Sequence, residues 1–176
     1  MAQRVRQTRL FAAEDYMAVY DSYLNANFKA FDFDNLLEKI PELKLLDCTI
    51  ETISFDKAID SSDMDPNYWV KIAEIIESHY NNCDGFVVLH GSDTMSYSAS
   101  ALSFMLENLN KPIIFTGSQL PIGDLRTDAK ENLITSIQIA SLRDKTEPLI
   151  KEVTLYFEYK LYRGNRTTKI NAEHFE

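Results

Sequence analysis

The chain has 176 residues, 45% hydrophobic and 26% charged, with a formal net charge of −9. That length can bury one substantial core, and the acidic balance argues against binding a phosphate backbone, which needs a Lys/Arg footprint. No apolar run approaches the roughly 18–20 residues needed to span a membrane.

Met1–Ala13 carries Arg4, Arg6 and Arg9 and no acid. No apolar stretch follows, and Glu14 and Asp15 come at once, so neither a secretory signal nor a transit segment is expected. Through residue 30 the chain leans helical, with Leu10, Phe11, Tyr16, Met17, Tyr20, Tyr23 and Leu24 at three- and four-residue spacing. Asp34 is placed to cap a short helix over Asn35–Ile40 that Pro41 closes. Thr49–Phe55 alternates and is β-rich, so a strand is expected. Asp65-Pro66 pairs an N-cap with a first-turn proline and opens a helix to about Tyr80.

Phe86–Leu89 reads as a short buried strand, followed by a helix from about Thr94 to Leu109. Ile113–Thr116 is another buried strand. A loop with Pro121 and Gly123 leads to Asp128, which opens a helix to about Leu142. Val153–Tyr159 is a β-rich run, and Arg163-Gly164-Asn165 is a turn. Strands alternating with helices imply an α/β fold, an open, mostly parallel, doubly wound sheet with helices on both faces, in three α/β/α layers.

All five glycines lie between Gly85 and Gly164, so no glycine-rich phosphate loop can occur in the first 84 residues. A nucleotide-binding α/β domain is disfavoured for the same reason. Cys48 and Cys83 match no zinc or redox spacing, and His79, His90 and His174 do not cluster. Reduced thiols and no metal are expected.

Chemistry concentrates where strands end. Ser92-Asp93-Thr94 follows Phe86–Leu89 at the start of a helix. Ser, Asp and Thr are good N-caps, so capping is one reading. The other is functional, since an alcohol beside a carboxylate lacks only a base to become a nucleophile. His90 is a poor candidate for that base, because it ends the strand. Lys169 is better placed, after another strand and its turn, although a solvated surface lysine is the usual fate of that residue. Asp60-Ser61-Ser62-Asp63-Met64 and Thr116-Gly117-Ser118-Gln119 also put small polar groups after strands. Four such strand ends exceed what capping requires.

Asp60-Ser-Ser-Asp-Met, His90-Gly-Ser-Asp-Thr-Met, Thr116-Gly-Ser-Gln-Leu-Pro and Tyr162-Arg-Gly-Asn-Arg-Thr-Thr-Lys occur in that order. From about Ala30 onward the chain closely resembles bacterial L-asparaginases of the cytoplasmic type I class. The resemblance implies hydrolysis of L-asparagine to L-aspartate and ammonia, without cofactor or metal, in the cytoplasm, by a homodimer or homotetramer. It implies a hydroxyl–carboxylate–lysine triad of Ser92, Asp93 and Lys169. Asp60, Ser61 and Ser62 would hold the substrate's α-carboxylate beside Gly91 and Ser92. Asp93 would take the α-ammonium, and Gly117-Ser118 would line the wall near the side-chain amide. Thr168 matches a position tied to allosteric asparagine binding. An amino-acid zwitterion needs such an acceptor for its ammonium and such donors for its carboxylate.

Three departures accompany the match. The family's first motif, Thr-Gly-Gly-Thr-Ile at the end of a central strand, is absent, and with it the usual primary nucleophile. Residues 1–29 are therefore expected to be a divergent, helical segment attached to a domain over residues 30–176, with the central sheet position lost and its edges exposed. The chain stops at Glu176, where family members continue with a second domain, so the domain is expected to be truncated. Ser92 replaces a threonine, keeping the hydroxyl and losing a methyl. The encoded activity is expected to be asparaginase, inactive or weak in this chain alone. A non-catalytic amino-acid-binding module is the alternative, and a subunit like the tRNA-dependent amidotransferases is disfavoured by the acidic charge.

Overall fold

A computed structural model describes residues 7–12 (backbone), 40–55, 59–120, 122 and 124–170. Strand β1, Gln7–Ala12, lies in one sheet with β2, Thr49–Ser54. Helix α1, Pro66–His79, follows. Next come β3, Gly85–Leu89, and helix α2, Met95–Met105. Strand β4, Ile113–Thr116, leads to helix α3, Ala129–Ser141. A two-stranded hairpin, β5 Arg143–Asp144 with β6 Glu147–Pro148, precedes β7, Val153–Phe157, and β8, Lys160–Arg163.

The main sheet runs β2-β1-β3-β4-β7-β8, parallel except for β8. Side chains alternate across it. Val87, Leu89 and Ile114 pack on one face with Leu133, Ile137 and Ala140 of α3. Phe86, Val88, Ile113 and Phe115 pack on the other with Ile72 and Ile76 of α1 and Met95, Ala99 and Leu102 of α2. This is the three-layer α/β/α arrangement. All five residues of β3 are buried, as a strand covered on both faces requires. Asp65 caps α1 as its sequence suggests, accepting from the amides of Asn67 at 2.7 Å and Tyr68 at 3.3 Å.

The largest departure from the sequence reading is β1. The helix expected through residue 30 gives way at Gln7–Ala12 to a strand paired on both sides, Leu10 lying opposite Thr52 and Val87. The central position expected to be lost is filled, and no open edge separates β2 from β3. A slot between two parallel strands offers backbone partners on both sides, and such non-local pairing overrides a weak helical period. Tyr16, Met17, Tyr20, Tyr23 and Leu24 lie outside the described residues, as does all but Ile40 of the helix expected over Asn35–Ile40, and as do Pro121 and Gly123.

Smaller differences have local causes. Pro41 opens a 3-10 turn, Pro41–Leu45. Helix α2 ends at Met105 and not Leu109, because Leu106 is extended and Asn108 takes a left-handed φ of 55°. Strand β8 follows a two-residue turn in which Glu158 and Tyr159 have φ of 45° and 66°. That geometry normally selects Asn or Gly, so nothing in the sequence announces it.

Candidate functional site

In a parallel sheet the carboxyl ends of the strands share one edge, and ligands bind where the strand order reverses. Here the reversal falls between β1 and β3, since the chain passes from β1 outward to β2 and then back to β3. The loops after β2, β3 and β4 carry Asp60–Ser62, His90–Thr94 and Thr116–Gln119 to that edge.

The loop after β3 decides between capping and chemistry. Thr94 occupies the N-cap position of α2 but makes no capping bond with its side chain. Its hydroxyl donates instead to the Ser61 carbonyl at 2.6 Å, clipping the loop after β3 to the loop after β2. Lys169 donates to Ser92 Oγ at 2.9 Å and to Asp93 Oδ1 at 2.8 Å. Ser92, Asp93 and Thr94 are thus all engaged in contacts distant in sequence.

Lys169 arrives from 76 residues beyond Asp93. After β8 the chain makes a 3-10 turn, Gly164–Arg166, laid against α2. A Cβ on Gly164 would meet Ser103 Oγ at 2.9 Å and the Ala99 carbonyl at 3.1 Å, so any larger residue would crowd this approach. The Lys169 side chain is 8% exposed and that of Asp93 is 70% exposed. The lysine is enclosed while its carboxylate partner faces solvent. An ammonium has three N–H donors, and among the described residues two of them are used.

Asp60 Oδ1 accepts from the Ser62 amide at 2.8 Å and the Ser62 hydroxyl at 2.7 Å. These bonds, the hydroxyl's foremost, hold the Asp60 carboxyl below its ordinary range. Ser61 is buried. Gly117 lies against the loop after β3, where a Cβ would sit 2.4 Å from the His90 carbonyl. The next turn is fixed by Asp128, which accepts from the amides of Gln119 and Leu120, and by Asn132, which donates to the Gly117 carbonyl at 2.9 Å. Ser118 follows in the same loop. Thr168 is exposed beside Lys169.

The structure therefore joins Ser92, Asp93 and Lys169 directly, and ties Ser61 to them through Thr94. Asp60 and Ser62 bond to each other. Sequence reasoning missed the clip made by Thr94 and the supports from Ser98, Asp128 and Asn132. For Ser98 and Asn132 the available signal was a polar residue on the buried stripe of a helix, where a satisfied partner is obligatory.

His90 is wholly buried, with Nδ1 2.8 Å from the Gly91 carbonyl and Nε2 2.8 Å from Ser98 Oγ. Burial lowers its pKa to about 4. The unfolded chain binds a proton near pH 6.5 that the folded chain refuses. Stability is therefore complete above pH 6.5 and falls, by about 3 kcal/mol, as pH drops through 6.5 toward 4. Denaturant melts across that range are expected to show this slope; a flat profile would contradict the buried, neutral ring.

Among the described residues no group of His, Cys, Asp and Glu is placed to hold a metal, and no helix is long and apolar enough to cross a membrane.

Fold and loops define a doubly wound α/β domain with a hydroxyl–carboxylate–lysine cluster at its switch point. A family model described as "Asparaginase, N-terminal" matches residues 16–176. The chain belongs to the asparaginase family. It is 57% identical to L-asparaginase 1 of Escherichia coli K12 over 118 residues, 67% of this chain and 33% of that protein. It is 41% identical to an L-asparaginase of Dirofilaria immitis over 167 residues, 95% of this chain and 26% of that one. The crystal structure of L-asparaginase I from Vibrio cholerae superposes with a TM-score of 0.81 at 38% identity, covering 96% of this chain and 49% of that one. The chain spans about a quarter to a half of the length of these relatives.

Proposed function

We propose that this chain forms the amino-acid-binding half of an L-asparagine amidohydrolase site and turns over weakly by itself. The observation that carries the reading is the enclosed Lys169 ammonium, shared between Ser92 Oγ and Asp93 Oδ1. Asp93, exposed on its other side, accepts the substrate's α-ammonium. Ser61, Ser62 and the Asp60 turn, with Gly91 and Ser92, receive the α-carboxylate. Gly117-Ser118 lines the side-chain amide, and Thr168 is the adjoining allosteric contact. In its neutral form Lys169 takes the Ser92 proton, and the hydroxyl attacks the amide carbon. The C–N bond breaks with the proton returned to the leaving nitrogen as ammonia, and water then hydrolyses the acyl–serine bond to release aspartate.

Weak turnover follows from the end of β1. That strand stops at Ala12, with Ala13 next in sequence, so neither residue offers the hydroxyl that the family's first motif supplies there. The same observation favours a second reading, a binding module without hydrolysis. We place the site in the 30–176 domain, to whose sheet β1 adds a strand, and the chain in the cytoplasm, as the resemblance to the type I class implies. Assembly as a homodimer or homotetramer belongs to the same reading and is supported by the family alone.

Calorimetry with L-aspartate and ammonia release from L-asparagine test the proposal on the purified chain. Binding with slow release that Ser92→Ala abolishes is the expected result. Binding with no release selects the module, and failure to bind either amino acid rejects both.

A further inference from the structure

We propose that Trp69, Ser98 and His90 form a positioning relay that orients the Gly91–Ser92 peptide and so aims the Ser92 amide at a bound anion. The proposal rests on the reading that the loop after β3 holds substrate.

Three hydrogen bonds run in series, and each fixes the next. The Trp69 indole Nε1–H lies 2.9 Å from Ser98 Oγ. An indole nitrogen can only donate, so Ser98 accepts. The Ser98 hydroxyl proton is then free to go to His90 Nε2, 2.8 Å away. A neutral imidazole whose Nε2 accepts carries its proton on Nδ1. That nitrogen is 2.8 Å from the Gly91 carbonyl, a partner that can only accept. Ser98 and His90 are both completely buried, so water does not compete for these bonds.

The consequence for the loop follows from peptide geometry. No cis peptide bond occurs among the described residues, and in a trans peptide the C=O and N–H point in opposite directions. The Gly91 carbonyl is held on the buried ring, so the Ser92 N–H of the same peptide points away from it. Among the described residues that amide has no hydrogen-bond partner, while the Ser92 hydroxyl is occupied by Lys169. An amide fixed in advance and left open is a donor for a carboxylate or for a developing oxyanion. The relay reaches from α1 through α2 to the loop, and none of its three side chains needs to touch the ligand.

Two readouts test it. In the 176-residue protein with 15N-labelled histidine, two-bond 1H–15N spectra are expected to show His90 neutral with its proton on Nδ1. Ser98→Ala removes the donor to Nε2 and is expected to change that pattern and to weaken L-aspartate binding about tenfold, an estimate for one oriented bond to a charged group. Ser98→Thr, which keeps a hydroxyl, is expected to restore both. Trp69→Phe keeps the ring and removes the N–H; it serves as the second variant if Ser98→Ala does not fold, with the same direction and a smaller loss. Wild-type affinity in a folded Ser98→Ala, or an Nε2–H tautomer in the wild type, overturns the relay. A wild type that binds neither amino acid rejects the functional reading instead, and the tautomer spectra still decide the relay.

Discussion

Leu10→Pro is expected to destroy the cooperative fold or to lower its melting temperature by roughly 6–12 °C, corresponding to about 3 kcal/mol or more in a chain of this size. Leu10 sits midway along β1, opposite Thr52 of β2 and Val87 of β3. Proline has no N–H to give to either ladder, and central strands do not accommodate it. The damage spreads because, among the described residues, β2 is joined to the rest of the sheet only through β1. Without β1, β2 detaches and takes with it the loop that leads to Asp60–Ser62. Folding stabilities are typically about 5–15 kcal/mol, so a loss of this size is a large share of the total. Circular dichroism melts of Leu10→Pro beside Leu10→Val as control provide the measurement. Identical melts for wild type and Leu10→Pro would show that Gln7–Ala12 does not fill the centre of the sheet.

Asp93→Asn is expected to cut L-aspartate affinity by about 100-fold, the range for losing a charge-assisted bond to an ammonium. The substitution keeps the shape and removes the charge. The Asp93 side chain is 70% exposed, so the lost ion pair with Lys169 contributes little to folding. The effect is therefore expected in binding far more than in the melt. Succinate has the two carboxylates of aspartate and no amino group, which isolates the role of Asp93. The variant's preference for L-aspartate over succinate is expected to collapse, with succinate binding nearly unchanged. Undiminished L-aspartate binding by Asp93→Asn would remove Asp93 as the ammonium acceptor.

The parts of the fold legible in sequence were those set by local chemistry. Asp65-Pro66 announced α1 because an N-cap and a first-turn proline act within a few residues. Phe86–Leu89 announced β3 because a strand buried on both faces has no polar side to alternate. β1 was hidden because its partners lie 42 and 77 residues away, opposite Gln7 at Thr49 and opposite Thr8 at Gly85, and its own residues carried a competing helical spacing. β8 was hidden because its turn uses residues that turns rarely choose. In the site, Ser92 and Asp93 stood out as polar groups at a strand end, and Lys169 stood out as a lysine that follows another strand and its turn. Their meeting is a property of the folded sheet edge and of Gly164, and no local pattern specifies it. His90 was set aside as a base because it ends the strand, and its link to Ser98 and Trp69 could not be read from spacing.

The turn between β7 and β8 has a further consequence for this protein's tolerance to change. Glu158 and Tyr159 both hold a left-handed backbone, at about 1–2 kcal/mol for each L-residue so placed. The Asn132 side chain accepts from the Glu158 amide at 3.3 Å and offsets part of that strain. The chain beyond this turn delivers Gly164 to α2 and Lys169 to Ser92. Positions 158 and 159 are therefore reserves of unclaimed stability: residues such as Asn and Gly would relax the backbone there, firm the approach of Lys169, and leave the side chains of the site untouched.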